Sequence, residues 1–195
     1  PFHIHAAEQV KEVEEVEAHL GARPVRWLLD NLPVDKRWCL IHATHLNASE
    51  TSDLAASDAV AGLCPTTEAN LGDGIFPAQA YLTAKGRLGI GSDSNIRISV
   101  AEELRMLELS QRLAHRQRAV LTDDITRSNG RYLYERAAHG GAQAIGRNAG
   151  SIETGKLADV VALRDDLPFL DWPEADQRLD AWIFGGEARA GSDVW

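Results

Sequence analysis

The sequence lacks the features that mark several large classes of protein. It has only two cysteines in 195 residues. It contains no run of eighteen apolar residues and no signal-peptide pattern, so neither a membrane span nor secretion is predicted. Both cysteines, Cys39 and Cys64, lie inside apolar runs. This placement indicates buried thiols of a reducing compartment rather than a disulfide framework. We therefore expect a soluble, cytoplasmic protein.

Positive charge is also scarce. Twenty Lys and Arg residues stand against 29 Asp and Glu residues, which gives a formal net charge of -9. Nucleic acids and anionic membranes select for clustered Lys and Arg, so neither is expected as a partner. With 44% hydrophobic and 25% charged residues, the chain can still bury an ordinary core. A small molecule is the expected partner, and a homodimer is left open.

An initial methionine is missing as well. The sequence begins at Pro1, directly in an apolar strand pattern, and it ends as another strand pattern begins. We therefore expect this chain to be part of a longer protein.

What the sequence does contain is an alternation of short apolar runs and helical patterns. Strands are predicted at the start of the chain and at three further places, 37–42, 60–65 and 88–91. Helices are predicted between and after them, at 9–20, 25–32, 47–57 and 77–84, from 99 through the apolar position 113, and at 128–145. The acidic run Glu12–Glu17 is interpreted as a solvated helix face, and 66–74 as a polar loop. Two more strands are predicted at 158–163 and 181–184, beyond a domain boundary near residue 148.

Three of the strand patterns end in residues that can bind a metal ion or move a proton. His5 and Glu8 follow the first strand, His42 the second and Asp93 the fourth. His5 and Asp93 are 88 residues apart, or about 29 per strand-helix unit, against about 31 in an eight-unit barrel. The carboxyl ends of barrel strands meet on one face. The pattern therefore predicts an α/β fold in which residues 1–148 form strands five to eight of a TIM-type barrel.

Other polar residues have competing interpretations. His3 alternates onto the same side as His5 but lies deeper, so it is interpreted as a packed neighbour rather than a ligand. For His45 a loop role is favoured, and for Arg97 a salt bridge at a helix entry. Glu68 and Asn70 are predicted to contact the substrate, although the residues that follow them are ordinary turn formers.

These motifs carry a resemblance to a known family. His5-Ala6-Ala7-Glu8, Ile41-His42-Ala43-Thr44-His45 and Gly91-Ser92-Asp93-Ser94 resemble strand signatures of the amidohydrolase superfamily, in its deaminase and chlorohydrolase branch. The segment around Gly150-Ser151-Ile152 and Ala158-Asp159 resembles the return of those enzymes to a small β-sandwich domain. Residues 149–195 are accordingly expected to form part of such a domain. Within the branch, the segments 3–9, 23–28, 64–74 and 92–95 are most similar to the formimidoylglutamate deiminases.

The resemblance implies a metal-dependent hydrolysis. It implies one divalent ion, zinc or alternatively iron, held by His5 and Asp93 together with a histidine pair on the first strand of the barrel, which this sequence lacks. Asp93 would orient the attacking hydroxide, and His42 would stabilise developing charge. Glu8 would carry a proton to the leaving nitrogen. The implied reaction converts N-formimidoyl-L-glutamate to N-formyl-L-glutamate and ammonia.

Two alternatives remain open. The first keeps the enzyme class and changes the substrate to guanine, another aminated ring or a chlorinated triazine. The second is a non-catalytic barrel remnant. This alternative does not explain why Glu8, His42 and Asp93 are present together. In either case a half barrel would expose sheet edges. Taken alone, these residues are expected to bind metal weakly and to be inactive.

Overall fold

The computed structural model describes residues 1–164, 166–186 and 191–194. Residues 192–194 are described by their backbone only. Its central feature is a four-stranded parallel sheet, and the strand order in the sheet follows the order in the chain. The strands are β1 (Phe2–Ala6), β2 (Trp38–His42), β3 (Val60–Leu63) and β4 (Arg87–Ile90). Among the described residues, no helix combines the length and apolar character needed to cross a membrane.

Helices connect these strands, as the sequence predicted. They are α1 (Val10–Leu20) and α2 (Pro24–Asn31) after β1, α3 (Ala48–Ala56) after β2, α4 (Pro65–Leu71) and α5 (Ala78–Thr83) after β3, and α6 (Val100–His115) and α7 (Asn129–Ala144) after β4. Parallel strands require such crossovers, because a tight turn cannot return the chain to the same end of the sheet. The four βα units are those expected of part of a βα barrel.

Local signals explain why most of these helices begin and end where they do. Gly21 adopts a left-handed conformation and closes α1. Asn47 and Glu50 form the predicted capping box of α3. Ser99 caps α6 with its side chain, but Glu102 pairs with Arg97 instead of completing a box. The predicted salt bridge of Arg97 at the entry of α6 is thereby confirmed.

Helix α7 closes the amino-terminal end of the sheet. A Cβ atom on Gly140 would lie 1.9 Å from the carbonyl oxygen of Leu88, so helix and strand touch through bare backbone. Near the end of α7, the Gln143 side chain donates to the carbonyls of Lys36 (3.1 Å) and Asp58 (2.8 Å) and accepts from Arg87 (2.7 Å). These three partners precede or begin β2, β3 and β4. One side chain thus ties the starts of three strands together.

Two predicted elements are wrong. The expected polar loop 66–74 begins with helix α4, and the expected strand 181–184 lies in a π-helical turn, Ala181–Gly185. Helix α4 has local signals that the expectation overlooked: Pro65 at its first position, Glu68 accepting the Cys64 N–H (2.8 Å) and a left-handed Gly72 at its end. The π turn has a non-local partner, since Arg105 of α6 donates to the Ile183 carbonyl (2.6 Å).

The residues after position 148 form short elements. β5 (Val161–Leu163) and β6 (Gly191–Val194) pair in an antiparallel two-stranded sheet. A 3₁₀ turn (Pro168–Leu170) and α8 (Ala175–Asp180) lie between them. Asp180 accepts hydrogen bonds from the Ser128 hydroxyl and the Gly130 N–H at the start of α7, so α8 packs on the sheet-bearing part of the chain. The assignment of 149–195 to a β-sandwich domain stays a prediction.

Candidate active site

The ends of three strands carry backbone in the left-handed region. Ala7 follows β1 with a φ of 54°, His42 ends β2 with a φ of 67°, and Asp93 follows β4 with a φ of 49°. Residues with a Cβ rarely adopt this conformation, and they retain it where the surrounding structure holds them. The same conformation occurs at other described residues, including Asp58 and Lys85 just before β3 and β4. At the carboxyl-terminal edge it coincides with the predicted catalytic residues His42 and Asp93.

His42 is the centre of this edge. Its side chain is buried, and its Nδ1 lies 3.2 Å from Glu68 Oε1. Its Nε2 lies 3.6 Å from Glu8 Oε1 and 3.8 Å from Asp93 Oδ2, and it has no hydrogen-bond partner. The His5 ring is 5.2 Å away, centroid to centroid. The structure thus brings together the four residues that the sequence singled out at strand ends.

The redirected backbone of His42 explains this convergence. In the register of the sheet His42 pairs with Ala6, whereas His5 pairs with Ile41. Simple alternation would therefore place the side chains of His5 and His42 on opposite faces. The positive φ of His42 ends the alternation and allows its ring to lie beside that of His5.

The pKa of His42 is raised above its ordinary value. Burial alone lowers this pKa, because it disfavours the charged ring. The hydrogen bond with Glu68 and the charges of Glu8 and Asp93 act in the opposite direction and together outweigh burial. The site therefore favours a positive charge on His42 where it meets a reacting group.

The pKa of Glu8 is also raised, first by burial and then by the neighbouring carboxylate of Asp73. His42 and His5 oppose this shift. A raised carboxyl pKa brings the group closer to neutral pH, which is what a proton carrier needs. This environment is consistent with the acid-base role predicted for Glu8.

The loop that carries Glu8 is held by a residue that sequence reasoning misassigned. Glu12 accepts the N–H groups of Ala7 (2.7 Å) and Glu8 (2.8 Å). The expectation that Glu12 belongs to a merely solvated helix face is wrong. A signal was present, since Glu12 stands three residues after Gln9, the N-cap of α1, where a capping box places its acidic member.

Asp73 is a second residue that the sequence did not single out. Only 7% exposed, it accepts from the Gln9 side chain (2.9 Å), and its carbonyl accepts from the His45 ring (2.8 Å). Its other carboxylate oxygen is buried without a partner. Because Asp73 lies between Gly72 and Gly74, the sequence indicated an ordinary turn residue rather than a buried hydrogen-bond acceptor. His45 has the loop position expected for it, where it links two of the strand-end loops.

The two residues predicted to contact substrate occupy different environments. Glu68 is 4% exposed and accepts from the Cys64 N–H (2.8 Å) as well as contacting His42. Asn70 is exposed and lines a surface groove with Thr66 and Arg97. The substrate contacts of Glu68 and Asn70 remain predictions. His3 donates to the Ala144 carbonyl (2.8 Å) but is exposed, so its interpretation as a packed neighbour stays a prediction.

The residues present fit a metal ion in part. Imidazole and carboxylate oxygen are ligands that zinc accepts, and His5 and Asp93 supply one of each. The unpartnered Nε2 of His42 shows that a polar group is left open at the same place. Within the part of the chain that the structure describes, however, no three His, Cys, Asp or Glu side chains form a group able to hold a metal ion.

Comparisons with known proteins agree with this geometry. A family model described as the amidohydrolase family matches residues 1–188. A formimidoylglutamate deiminase of Pseudomonas aeruginosa is 52% identical over 194 residues, which are 100% of this chain and 43% of that protein. The crystal structure of an amidohydrolase from Brucella melitensis, also 52% identical, superposes with a TM-score of 0.93 over 100% of this chain and 43% of that one.

A more distant structure carries a metal. A crystal structure of an adenosine deaminase from Xanthomonas campestris with bound zinc is 28% identical, with a TM-score of 0.85 over 100% of this chain and 44% of that one. A parallel sheet with a helix after each strand, and with titratable side chains at the ends of its strands, is typical of α/β proteins of the βα-barrel type. The chain belongs to the amidohydrolase family. It spans less than half the length of these relatives.

Proposed function

We propose that the complete protein hydrolyses N-formimidoyl-L-glutamate to N-formyl-L-glutamate and ammonia. The observation that carries this proposal is the convergence of Glu8, His42 and Asp93 at one edge of the sheet, with an unpartnered His42 nitrogen between the two carboxylates. The choice of substrate is supported by the 52% identity to a protein named for this reaction.

A divalent metal ion, zinc or alternatively iron, would be held by His5 and Asp93. The remaining ligands would come from the part of the relatives' length that this chain does not match. When bound, such an ion lowers the pKa of water toward neutrality and so supplies a nucleophile at physiological pH.

Three side chains of this chain have roles that their surroundings support. Glu8 takes a proton at its carboxylate and delivers it to the leaving nitrogen, so that ammonia departs rather than an amide anion. His42 stabilises, through Nε2, the charge that develops on the atoms bonded to the reacting carbon. Asp93 has an oxygen 3.8 Å from that nitrogen and orients the attacking water. The burial of His42 strengthens each of these interactions.

An ammonia-release assay tests the substrate. The complete, metal-loaded protein is supplied in parallel with N-formimidoyl-L-glutamate and with guanine, which represents the aminated rings that related enzymes use. We expect turnover of the first compound and none of the second. Turnover of guanine alone would overturn the proposed substrate and retain the reaction class. No turnover of either compound, nor of a chlorinated triazine, would favour a non-catalytic role.

A further inference from the structure

We propose that Glu68 is a positioning residue, which holds the His42 ring through Nδ1 so that Nε2 is aimed at the reacting centre. The proposal rests on the reaction class proposed above. It assigns Glu68 a task that does not depend on its predicted contact with the substrate.

The contact between the two residues is buried and directional. His42 is 0% exposed and Glu68 is 4% exposed. Nδ1 of His42 lies 3.2 Å from Oε1 of Glu68. A carboxylate can only accept a hydrogen bond, so the proton in this contact belongs to Nδ1. The other nitrogen, Nε2, is the one without a partner.

Glu68 is held in place on its own helix. The oxygen that meets His42 also accepts the Cys64 N–H (2.8 Å), one of the unpaired groups at the start of α4. The adjacent Thr67 hydroxyl donates to the Ser92 carbonyl (3.1 Å), next to Asp93. The carboxylate therefore cannot turn away from His42 without losing a helix cap. The same helix links the loop of Asp93 to the ring of His42.

This arrangement gives His42 a fixed direction. Residues that orient a functional histidine through its second nitrogen set both its tautomer and its angle. Without Glu68, the buried imidazole could rotate, and Nε2 would point away from the substrate for part of the time.

Kinetics of two matched variants test the proposal. Glu68→Gln keeps the shape of the side chain but can turn its amide N–H toward Nδ1, which allows the opposite tautomer. We expect kcat to fall about 10–100-fold, with KM nearly unchanged. Glu103→Gln is the control, because Glu103 also caps α4, at Thr66, and shows no contact with His42. It should retain wild-type kcat. An equal loss in both variants, or none in Glu68→Gln, would overturn the proposal.

A measurement without substrate separates this proposal from the proposed function. The ring nitrogens of His42 are observed by ¹⁵N NMR in the complete protein and identified by the signals that disappear in His42→Asn. Wild type and Glu103→Gln should show the same Nδ1 chemical shift, typical of an N–H that is hydrogen-bonded to a carboxylate, and Glu68→Gln should show a changed Nδ1 shift. Unchanged shifts in Glu68→Gln would overturn the proposal, whichever substrate the enzyme uses.

Discussion

The two ends of the parallel sheet are built in opposite ways. At the amino-terminal end, α7 lies on β4 through Gly140, and Gln143 bonds to peptide groups at the starts of β2 and β3. At the carboxyl-terminal end, the carboxylates of Glu8, Glu68 and Asp93 lie close to the buried imidazole of His42. Close backbone packing stabilises a fold, whereas buried charge tends to cost stability and serves chemistry.

This comparison has a direct consequence for mutations. Changes at the carboxyl-terminal edge should remove activity and leave the fold intact. Changes at the amino-terminal end should weaken the fold and affect activity only through it. The difference can be tested by measuring both properties for each variant.

The largest effect is expected at the carboxyl-terminal edge. Glu8→Gln removes the proton carrier and should lower kcat of the complete protein about 10²–10⁴-fold, while the thermal midpoint stays close to that of wild type. Ammonia release and thermal unfolding are the measurements. Glu14→Gln, the same change at an exposed position of α1, is the control and should keep full activity. A Glu8→Gln enzyme with wild-type kcat would contradict the assigned role.

A pair of glycines on α7 tests the opposite end. Gly140→Ala places a Cβ atom against the Leu88 carbonyl and should cost about 3 kcal/mol of unfolding free energy, since helix and strand must separate. Gly141→Ala meets nothing within 4 Å and should stabilise the helix by up to about 1 kcal/mol. Denaturant unfolding of both variants decides. Similar stabilities would show that the contact between α7 and β4 is not tight.

Gln143 provides a smaller effect at the same end. Gln143→Ala removes hydrogen bonds to the starts of three strands, and since the site is partly exposed to water we expect a loss of about 1 kcal/mol. Chemical denaturation measures it, and the kcat of the folded enzyme should be unchanged. A loss of activity without a loss of stability would show that Gln143 serves the reaction, and it would contradict the assignment of the amino-terminal end of the sheet to stability alone.

The smallest effect concerns pH and a carboxylate behind the carboxyl-terminal edge. Burial raises the pKa of Glu103 above its ordinary value of 4.5, while a hydrogen bond from the Thr66 N–H opposes the shift. The folded protein therefore holds this proton more tightly than the unfolded chain does. Stability conferred by the protonated form is present below about pH 4.5 and is lost as the pH rises through the folded pKa.

Glu103→Gln removes this titration. Relative to wild type, the variant should gain stability between pH 4 and pH 7, as measured by unfolding free energies at both values. A constant difference between the two proteins over this range would contradict the raised pKa.

Much of the fold was predictable because its signals are local. The capping box at Asn47, the left-handed Gly21 and the strand ends at His5, His42 and Asp93 depend on residues close in sequence. The π turn was missed because it depends on Arg105, which lies far away in the chain. Helix α4 was missed although Pro65 and Gly72 mark its two ends.

The candidate site divides in the same way. Strand periodicity placed His5, Glu8, His42 and Asp93 at one edge, and these four lie together. Spacing could not reveal that Glu68 reaches His42 across 26 positions or that Asp73 lies beside Glu8. Residues that support a site from other elements leave no periodic trace, so only the folded structure reveals them.

Asp93→Asn tests the central claim most directly, because Asp93 is assigned both to the metal and to catalysis. The complete protein and the variant are purified identically, and bound metal and ammonia release from N-formimidoyl-L-glutamate are measured on the same samples. We expect the variant to lose bound metal and nearly all activity while it remains folded. Unchanged metal content together with unchanged activity would contradict the assignment of the carboxyl-terminal strand ends as the catalytic centre.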